Sequence, residues 1–202
     1  MEDFHSQIFP DPDSTAQDSK PGGLRRFLVD VAETVVLSLL LFMGINAVSA
    51  RIRIESVSMQ PTLYEGYFVI VNKLAYTLGD FSRGDVIVFH YPPDPAREPY
   101  IKRVIGLPGD QVSVQDGKVL VNGEPLREPY ISAPPLYAGN WTVPEGSLFV
   151  LGDNRNSSSD SHSWGMVPLE NVIGKAELVY WPPEEWKLLN QVTAVAAEPV
   201  QP

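Results

Sequence analysis

The stretch Gln111-Val-Ser-Val-Gln-Asp-Gly-Lys-Val-Leu-Val-Asn122 decides the fold class of this chain. Apolar residues alternate with polar ones on both sides of Asp116-Gly117, and each alternating run predicts a half-buried β-strand. Asp-Gly between two such runs is a strong signal for a tight hairpin turn. The stretch therefore predicts two antiparallel strands, and Asn122-Gly123 marks the next reversal.

Similar short runs, rich in Val, Ile, Tyr and Phe and separated by Gly, Pro and Asp, continue through the chain beyond Arg51. No long amphipathic helical pattern interrupts them, so crossover helices and a parallel sheet are disfavoured. We predict a mainly β domain of antiparallel sheets over 51–189, with a small accessory hairpin region around 106–147. The Pro-rich stretches 92–99 and 125–144 are interpreted as ordered loops. The predicted strands are 67–72, 85–91, 100–105, 111–115, 118–122, 147–151 and 173–181.

An apolar segment precedes this domain. Residues 34–50 carry no charged side chain, a length near the lower limit for a bilayer-spanning helix. We predict a single transmembrane anchor helix over 25–50. The polar, acidic segment 1–24 and the tail 190–202 are predicted to be disordered, because they cannot bury enough apolar surface to offset their ordering entropy.

Two other interpretations of the apolar segment stay open. A buried helix of a soluble protein would need enclosure on every side. A cleavable signal peptide is also compatible, since Arg25 and Arg26 precede the segment and Val48-Ser49-Ala50 offers small residues at a cleavage position. The long acidic stretch before the arginines argues against cleavage. Flanking charges are nearly equal on both sides, so they do not settle the orientation.

Composition excludes several functional classes. The chain has 202 residues and a formal net charge of -10, which argues against a nucleic-acid partner. It contains no cysteine, which excludes disulfides and thiolate metal sites. The three histidines, His5, His90 and His162, lack the spacing of zinc ligands. We expect no metal and no cofactor.

Residues 54–63, Ile-Glu-Ser-Val-Ser-Met-Gln-Pro-Thr-Leu, contain a candidate nucleophile, Ser58. The proline at 61 can start a turn or a helix, and a serine beside such a turn can be exposed. Ile54, Met59 and Leu63 offer apolar walls for a groove next to this serine. A serine near a turn often only caps the backbone, so the segment needs a partner elsewhere in the chain.

Lys102, within the strand-like run 100–105, is the candidate base. A lysine acts as a base only when it is neutral, which requires a pKa about 3 units below its reference value, or about 4 kcal/mol. Burial among apolar neighbours can supply this difference. Strand alternation places Tyr100, Lys102 and Val104 on one face, with no acidic partner in the same strand.

Residues 152–165, Gly-Asp-Asn-Arg-Asn-Ser-Ser-Ser-Asp-Ser-His-Ser-Trp-Gly, are too rich in small polar groups to form a strand. Such a stretch can build a hydrogen-bonded loop beside a site. The apolar flanks 149–151 and 164–168 predict that both ends of the loop are anchored in the domain.

Together these three segments resemble the bacterial type I signal peptidases, or leader peptidases. The resemblance rests on Ser-x-Ser-Met-x-Pro-Thr-Leu at 56–63, Tyr-Ile-Lys-Arg-Val-Ile-Gly-Leu-Pro-Gly-Asp at 100–110, and Gly-Asp-Asn-Arg followed by Ser-x-Asp-Ser and Trp-Gly at 152–165. Three such motifs in the family's order are highly specific. The resemblance implies a membrane-bound serine endopeptidase that cleaves signal peptides from exported preproteins after Ala-x-Ala-like sites.

The resemblance also implies residue roles. Ser58 would be the nucleophile that forms an acyl-enzyme, and Lys102 its general base. The Ser56 hydroxyl and the Ser58 backbone N–H would form the oxyanion hole, and Ser158 would hydrogen-bond and orient Lys102. Supporting residues would be Arg103, Asp153, Arg155, Asp160 and His162. Pocket walls would be Ile54, Met59, Leu63, Tyr100 and Ile101.

Two positions depart from the family pattern. His162 stands where many relatives have an arginine paired with the loop aspartate, and Asn156 replaces a common acid. The short interval between the second and third motifs resembles the compact form of the family. A histidine-based triad, with His90 or His162 and Asp160, is a further alternative.

Two rival functions are compatible with parts of this pattern. A self-cleaving repressor-type peptidase also uses serine and lysine, but here Ala138-Gly139 follows both catalytic candidates. A membrane-anchored β-domain could instead bind exported polypeptides without cutting them. For the peptidase we expect a monomer in the bacterial cell membrane, with the catalytic domain on the extracytoplasmic side. Signal peptides and membrane lipid are the expected partners, with Trp141 and residues 181–186 at the lipid interface.

Overall fold

A computed structural model describes residues 23–189 of the chain. An apolar helix, α1 (Gly23–Val48), comprises 26 residues with a mean hydropathy of 2.1 in its most apolar window. This length exceeds the roughly 20 residues that a bilayer core requires. The helix begins and ends two residues earlier than predicted, because Ser49 already belongs to a strand. The predicted tails lie outside the described residues, except that residues 23 and 24 belong to α1.

A large antiparallel sheet forms most of the body that starts at Ile45. Its strand order is β1-β2-β11-β3-β4-β9-β10, with β12 paired to β11. The prediction of a mainly β, antiparallel fold is confirmed. The strands are β1 (Ser49–Arg53), β2 (Phe68–Asn72), β3 (Val86–Phe89), β4 (Tyr100–Gly106), β9 (Ser147–Leu151), β10 (Val167–Pro168), β11 (Val172–Trp181) and β12 (Lys187–Leu188).

A second sheet has four strands in the order β7-β6-β5-β8. They are β5 (Gln111–Gln115), β6 (Lys118–Val121), β7 (Glu124–Pro125) and β8 (Gly139–Thr142). Asp116 and Gly117 both have positive φ, 50° and 71°, as the predicted two-residue hairpin requires. The prediction that 125–144 is entirely loop is wrong, because β8 pairs with the free edge of β5.

Short helical turns connect the strands. They are α2 (Ala75–Leu78), α3 (Ser161–Trp164) and three 3₁₀ turns at Val57–Met59, Leu169–Asn171 and Pro183–Glu185. The first of these 3₁₀ turns matters most for the site, because it carries Ser58 directly after β1 and turns the chain back toward the large sheet.

Three apolar clusters form the core of the described part of the chain. One lies under β1, β2 and β11 and includes the fully buried Met59 and Leu63. The second joins the small sheet to β4 and β9, and the third packs against β3 and β9. Gly106 allows the close approach of the two sheets, since a Cβ there would lie 2.7 Å from Val112 and 2.8 Å from Val143.

Candidate active site

The 3₁₀ turn after β1 brings Ser58 into contact with Lys102. Ser58 is only 6% exposed, and its Oγ lies 2.7 Å from Lys102 Nζ. The backbone around the serine is held by the polar loop that follows β9. The Asn154 N–H donates to the Ser58 carbonyl at 3.0 Å, and Asn154 Nδ2 donates to the Val57 carbonyl at 3.2 Å. Asn154 therefore holds the backbone of the nucleophile candidate with two hydrogen bonds.

Lys102 lies in β4, between β3 and β9, and is 4% exposed. Its Nζ also donates to the Ile101 carbonyl at 3.0 Å and lies 5.3 Å from the centroid of the Tyr100 ring. Burial lowers the pKa of Lys102 to about 8, although the carboxylates of Asp160 and Asp153 oppose this shift. The amine can therefore become neutral near physiological pH.

Ser56 places a second hydroxyl beside the serine. Its Oγ lies 3.2 Å from Ser58 Oγ, and its backbone is extended, with φ −136° and ψ 156°. A hydroxyl at this distance can turn toward an oxygen that develops negative charge next to Ser58. The structure thus brings Ser56, Ser58 and Lys102 together as the sequence predicts.

Gly152 lets the polar loop approach the serine closely. A Cβ at Gly152 would overlap both Ser158 Oγ and the Ser58 carbonyl oxygen. Ser158 Oγ is buried and has no hydrogen-bond partner among the described residues. The predicted hydrogen bond from Ser158 to Lys102 is absent, because the Lys102 amine is directed to Ser58 Oγ and the Ile101 carbonyl.

Asp160 stabilises the end of this loop through hydrogen bonds. It is fully buried and accepts hydrogen bonds from the Gly152 N–H at 2.9 Å and from His162, whose Nδ1 lies 2.6 Å away. The His162 ring stacks on Tyr137 at 4.1 Å between centroids. Within the described residues, Ser58 Oγ contacts Ser56 and Lys102 and no histidine. This arrangement does not support the histidine-based alternative.

A buried ion pair lies next to the dyad. Arg103 donates to both carboxylate oxygens of Asp153, at 2.8 and 2.7 Å, and both side chains are fully buried. Thr62 Oγ1 donates to the same carboxylate at 2.5 Å. Burial is the largest single influence on the pKa of Arg103 and lowers it. The hydrogen bonds and the charge of Asp153 act in the opposite direction, and the net effect is a raised pKa. The ion pair links β4, the segment after Ser58 and the polar loop.

A second ion pair joins the polar loop to the segment between β7 and β8. Arg155 donates to Glu128 at 2.8 and 2.5 Å, and the Tyr130 hydroxyl donates to the same carboxylate at 2.9 Å. The Tyr130 ring lies 4.0 Å from the Arg103 guanidinium and 5.9 Å from that of Arg155. Sequence reasoning missed Glu128 and Tyr130, because nothing in the local pattern indicates that Glu128 has a partner 27 residues away.

A groove of about 680 Å³ extends from the dyad. Ile54, Tyr100 and Ile101 line it, as predicted for pocket walls. The interpretation of Met59 and Leu63 as walls is wrong, since both are fully buried in the core. The groove lining comprises residues 51–58, 98–102, Ser157 and Ser159.

Comparison with known proteins identifies the family. Residues 28–181 match the family described as "Signal peptidase, peptidase S26". The chain belongs to this family. It is 48% identical over 164 residues to signal peptidase I of Leptolyngbya laminosa, with 77% of this chain and 80% of that protein covered. It is 42% identical over 183 residues to signal peptidase I of Bacillus caldolyticus, covering 83% and 95%.

Among solved structures, the chain is similar to a crystal structure of a signal peptidase I from Enterococcus faecalis, with 33% sequence identity and a TM-score of 0.45. The match covers 48% of this chain and 97% of the crystallised chain. The resemblance stated from the sequence motifs is confirmed by the family match. This signal peptidase is a hydrolase of signal peptide processing, and the one bilayer-length apolar helix among residues 23–189 fits membrane anchoring. The repressor-type interpretation is thereby set aside.

Proposed function

We propose that this signal peptidase cleaves preproteins after Ala-x-Ala-like sites with a Ser58–Lys102 dyad. The 2.7 Å contact between Lys102 Nζ and Ser58 Oγ in a buried site carries the proposal. With a pKa of about 8, roughly a tenth of Lys102 side chains are neutral at pH 7, against a few in ten thousand at the ordinary value. A base is therefore present without histidine.

The reaction proceeds in two halves. Neutral Lys102 takes the proton of Ser58 Oγ as the oxygen attacks the scissile carbonyl carbon, and a tetrahedral intermediate forms. The Lys102 ammonium then gives this proton to the leaving amine, the C–N bond breaks, and an ester to Ser58 remains. In the second half, Lys102 takes a proton from water, the hydroxide attacks the ester, and Ser58 regains its proton as the acid product leaves.

The oxyanion of both intermediates needs hydrogen-bond donors. We assign this role to the Ser58 N–H and the Ser56 hydroxyl, which lies 3.2 Å from Ser58 Oγ. Each such donor contributes about 3 kcal/mol in other hydrolases. Ser158 is kept as a candidate positioning residue, because its unpartnered hydroxyl is buried beside Gly152 and can rotate during the reaction.

The groove supports an extended substrate. β1 is the end strand of the large sheet and lines the groove from Arg51 onward, opposite residues 98–102. An end strand offers unpaired backbone groups with which a peptide can pair. Ile54, Tyr100 and Ile101 make apolar walls that favour small side chains at the cleavage site.

The proposal includes a catalytic domain on the extracytoplasmic side, because exported preproteins present their cleavage sites there. It also includes a monomeric state. Trp181 and Trp186 are 53% and 66% exposed and are proposed lipid contacts. Trp141 does not belong to this surface, since it is half-buried and packs on Phe149 at 5.0 Å. Brominated lipids should quench the fluorescence of the two exposed tryptophans, and unaffected fluorescence would contradict this assignment.

The dyad is tested with the full chain in detergent and an Ala-x-Ala preprotein. We expect Ser58→Ala and Lys102→Ala each to lower kcat at least about a thousandfold. Lys118→Ala, which removes an exposed lysine of the small sheet, is the matched control and should keep full activity. Retained activity in either dyad variant would refute the assignment, and an inactive wild-type chain would favour a binding domain.

A further inference from the structure

Two exposed leucines lie at the ends of α2, the short helix that follows β2: Leu74 is its N-cap residue and Leu78 its last residue. Leu78 is 83% exposed and Leu74 is 37% exposed. Residues four apart on a helix lie on the same face. The two side chains therefore form one small apolar surface, which is distinct from the active-site groove.

The opposite face of α2 is fixed to the domain. The Tyr76 ring stacks on Phe81 at 3.8 Å, and its hydroxyl donates to Asp85 at 3.0 Å. Asp85 in turn forms an ion pair with Lys175 of β11 at 2.6 Å. Because Tyr76 is anchored in this way, α2 cannot rotate to bury the two leucines.

The residue just before Leu74 binds the end of the apolar helix. The Lys73 N–H donates to the Val48 carbonyl at 2.9 Å, and Lys73 Nζ donates to the Asn46 carbonyl at 3.0 Å. The last four carbonyls of a helix lack donors within the helix. Lys73 satisfies two of them. Because Lys73 lies two residues before α2, the start of α2 is held beside the end of α1.

We propose that Leu74 and Leu78 insert into the lipid interface and make α2 a second membrane contact. The end of a bilayer-length helix lies at the membrane surface, and apolar side chains held at that level are stabilised by lipid. Trp181 pairs with Phe68, at the other end of β2 from Asn72, so α2 forms a separate contact. Its function is to fix the height of the dyad above the membrane.

This inference rests on the membrane anchoring in the proposed function and not on the dyad chemistry. The chain contains no cysteine, so a single introduced cysteine reports one position. Leu78→Cys in the full chain is labelled with a nitrobenzoxadiazole dye and reconstituted in phosphatidylcholine–phosphatidylglycerol vesicles. We expect blue-shifted emission and about twofold quenching when the lipids are brominated.

Leu136→Cys is the matched control. Leu136 is 86% exposed, as Leu78 is, but lies in the loop between β7 and β8. We expect water-like emission without quenching at this position. Equal emission and quenching at the two positions would overturn the proposal, whether or not the protein is an active peptidase.

A second measurement tests the consequence for catalysis. Leu74→Asn with Leu78→Asn should lower kcat/KM about fivefold for a vesicle-embedded preprotein and leave cleavage of a soluble peptide in detergent unchanged. Leu136→Asn should change neither. Equal loss on both substrates would indicate general damage to the domain and overturn the role in setting height. Unchanged activity on vesicles would also overturn that role.

Discussion

If Lys102 is the base, as proposed, its protonation should control how activity depends on pH. Burial lowers its pKa to about 8, and the Asp160 carboxylate acts in the opposite direction. We expect kcat/KM on a peptide to rise about tenfold per pH unit below this value and to level off above it. Asp160→Asn should move the rise to lower pH, because it removes a charge that favours the ammonium.

The matched control for this pH profile is Asp116→Asn, since Asp116 lies in the hairpin turn at φ 50°, a conformation that asparagine tolerates. Its profile should coincide with that of the wild type. A profile that Asp160→Asn leaves unchanged would contradict the assignment of Lys102 as the titrating base.

The low pKa of Lys102 also costs stability. Between pH 8 and the ordinary pKa of 10.5, the unfolded chain binds a proton that the folded chain lacks, so this side chain makes stability rise with pH there. Below that window the cost is about 3 kcal/mol. Lys102→Met should therefore be about 2 kcal/mol more stable at pH 7, after the loss of two hydrogen bonds. Denaturant unfolding at pH 7 and 10 measures this difference, which should shrink at the higher pH.

For single residues, the sequence predicts which side chains share the site better than it predicts their direction or their distant partners. Motif order suffices to predict that Ser56, Ser58 and Lys102 share one site, and the structure contains contacts among these three residues. The direction of a side chain near a turn depends on backbone geometry that the motif does not reveal, so Met59 was wrongly assigned to a pocket wall. Partners distant in sequence, such as Glu128 for Arg155, were missed for the same reason.

At the scale of elements, the loop after β9 acts through its close packing on the serine turn. Gly152→Ala should lower kcat about a hundredfold, because a Cβ there would displace the Ser58 carbonyl and Ser158. Gly44→Ala is the control, since nothing outside the adjacent backbone of its own helix lies within 4 Å of its Cβ position. Single-turnover cleavage measures the effect, and near-normal rates in Gly152→Ala would show that the loop is not closely coupled to the dyad.

Strands differ in how well their sequence predicts them. β5 and β9 have the predicted bounds, because alternating or continuous apolar runs end at clear turn residues. β8 was missed because its Gly and Asn have low strand propensity, and only pairing with β5 stabilises it. β1 was missed because it follows α1 directly, without a turn signal between them.

At the scale of the whole molecule, the residues between α1 and β1 determine whether the β domain can fold without the apolar helix. Every paired strand of the described residues lies after Val48, so a chain that starts at Ile45 should fold and cleave soluble peptide at the full rate. A chain that starts at Arg51, the product of cleavage after Ala50, loses two of the five residue pairs between β1 and β2. It also loses the partners of Lys73.

We therefore expect the Arg51 form to have a Tm about 5 °C below that of the Ile45 form, and a lower kcat because β1 leads directly to Ser56. Thermal unfolding and peptide cleavage of the two forms, in the same detergent, measure this difference. Intact-mass analysis of the full chain from membranes completes the test. A dominant product beginning at Arg51, as active as the Ile45 form, would favour the cleavable signal peptide over the anchor. If the chain is intact in membranes and the Arg51 form is less stable, Ser49 and Ala50 are retained in the mature protein and stabilise it.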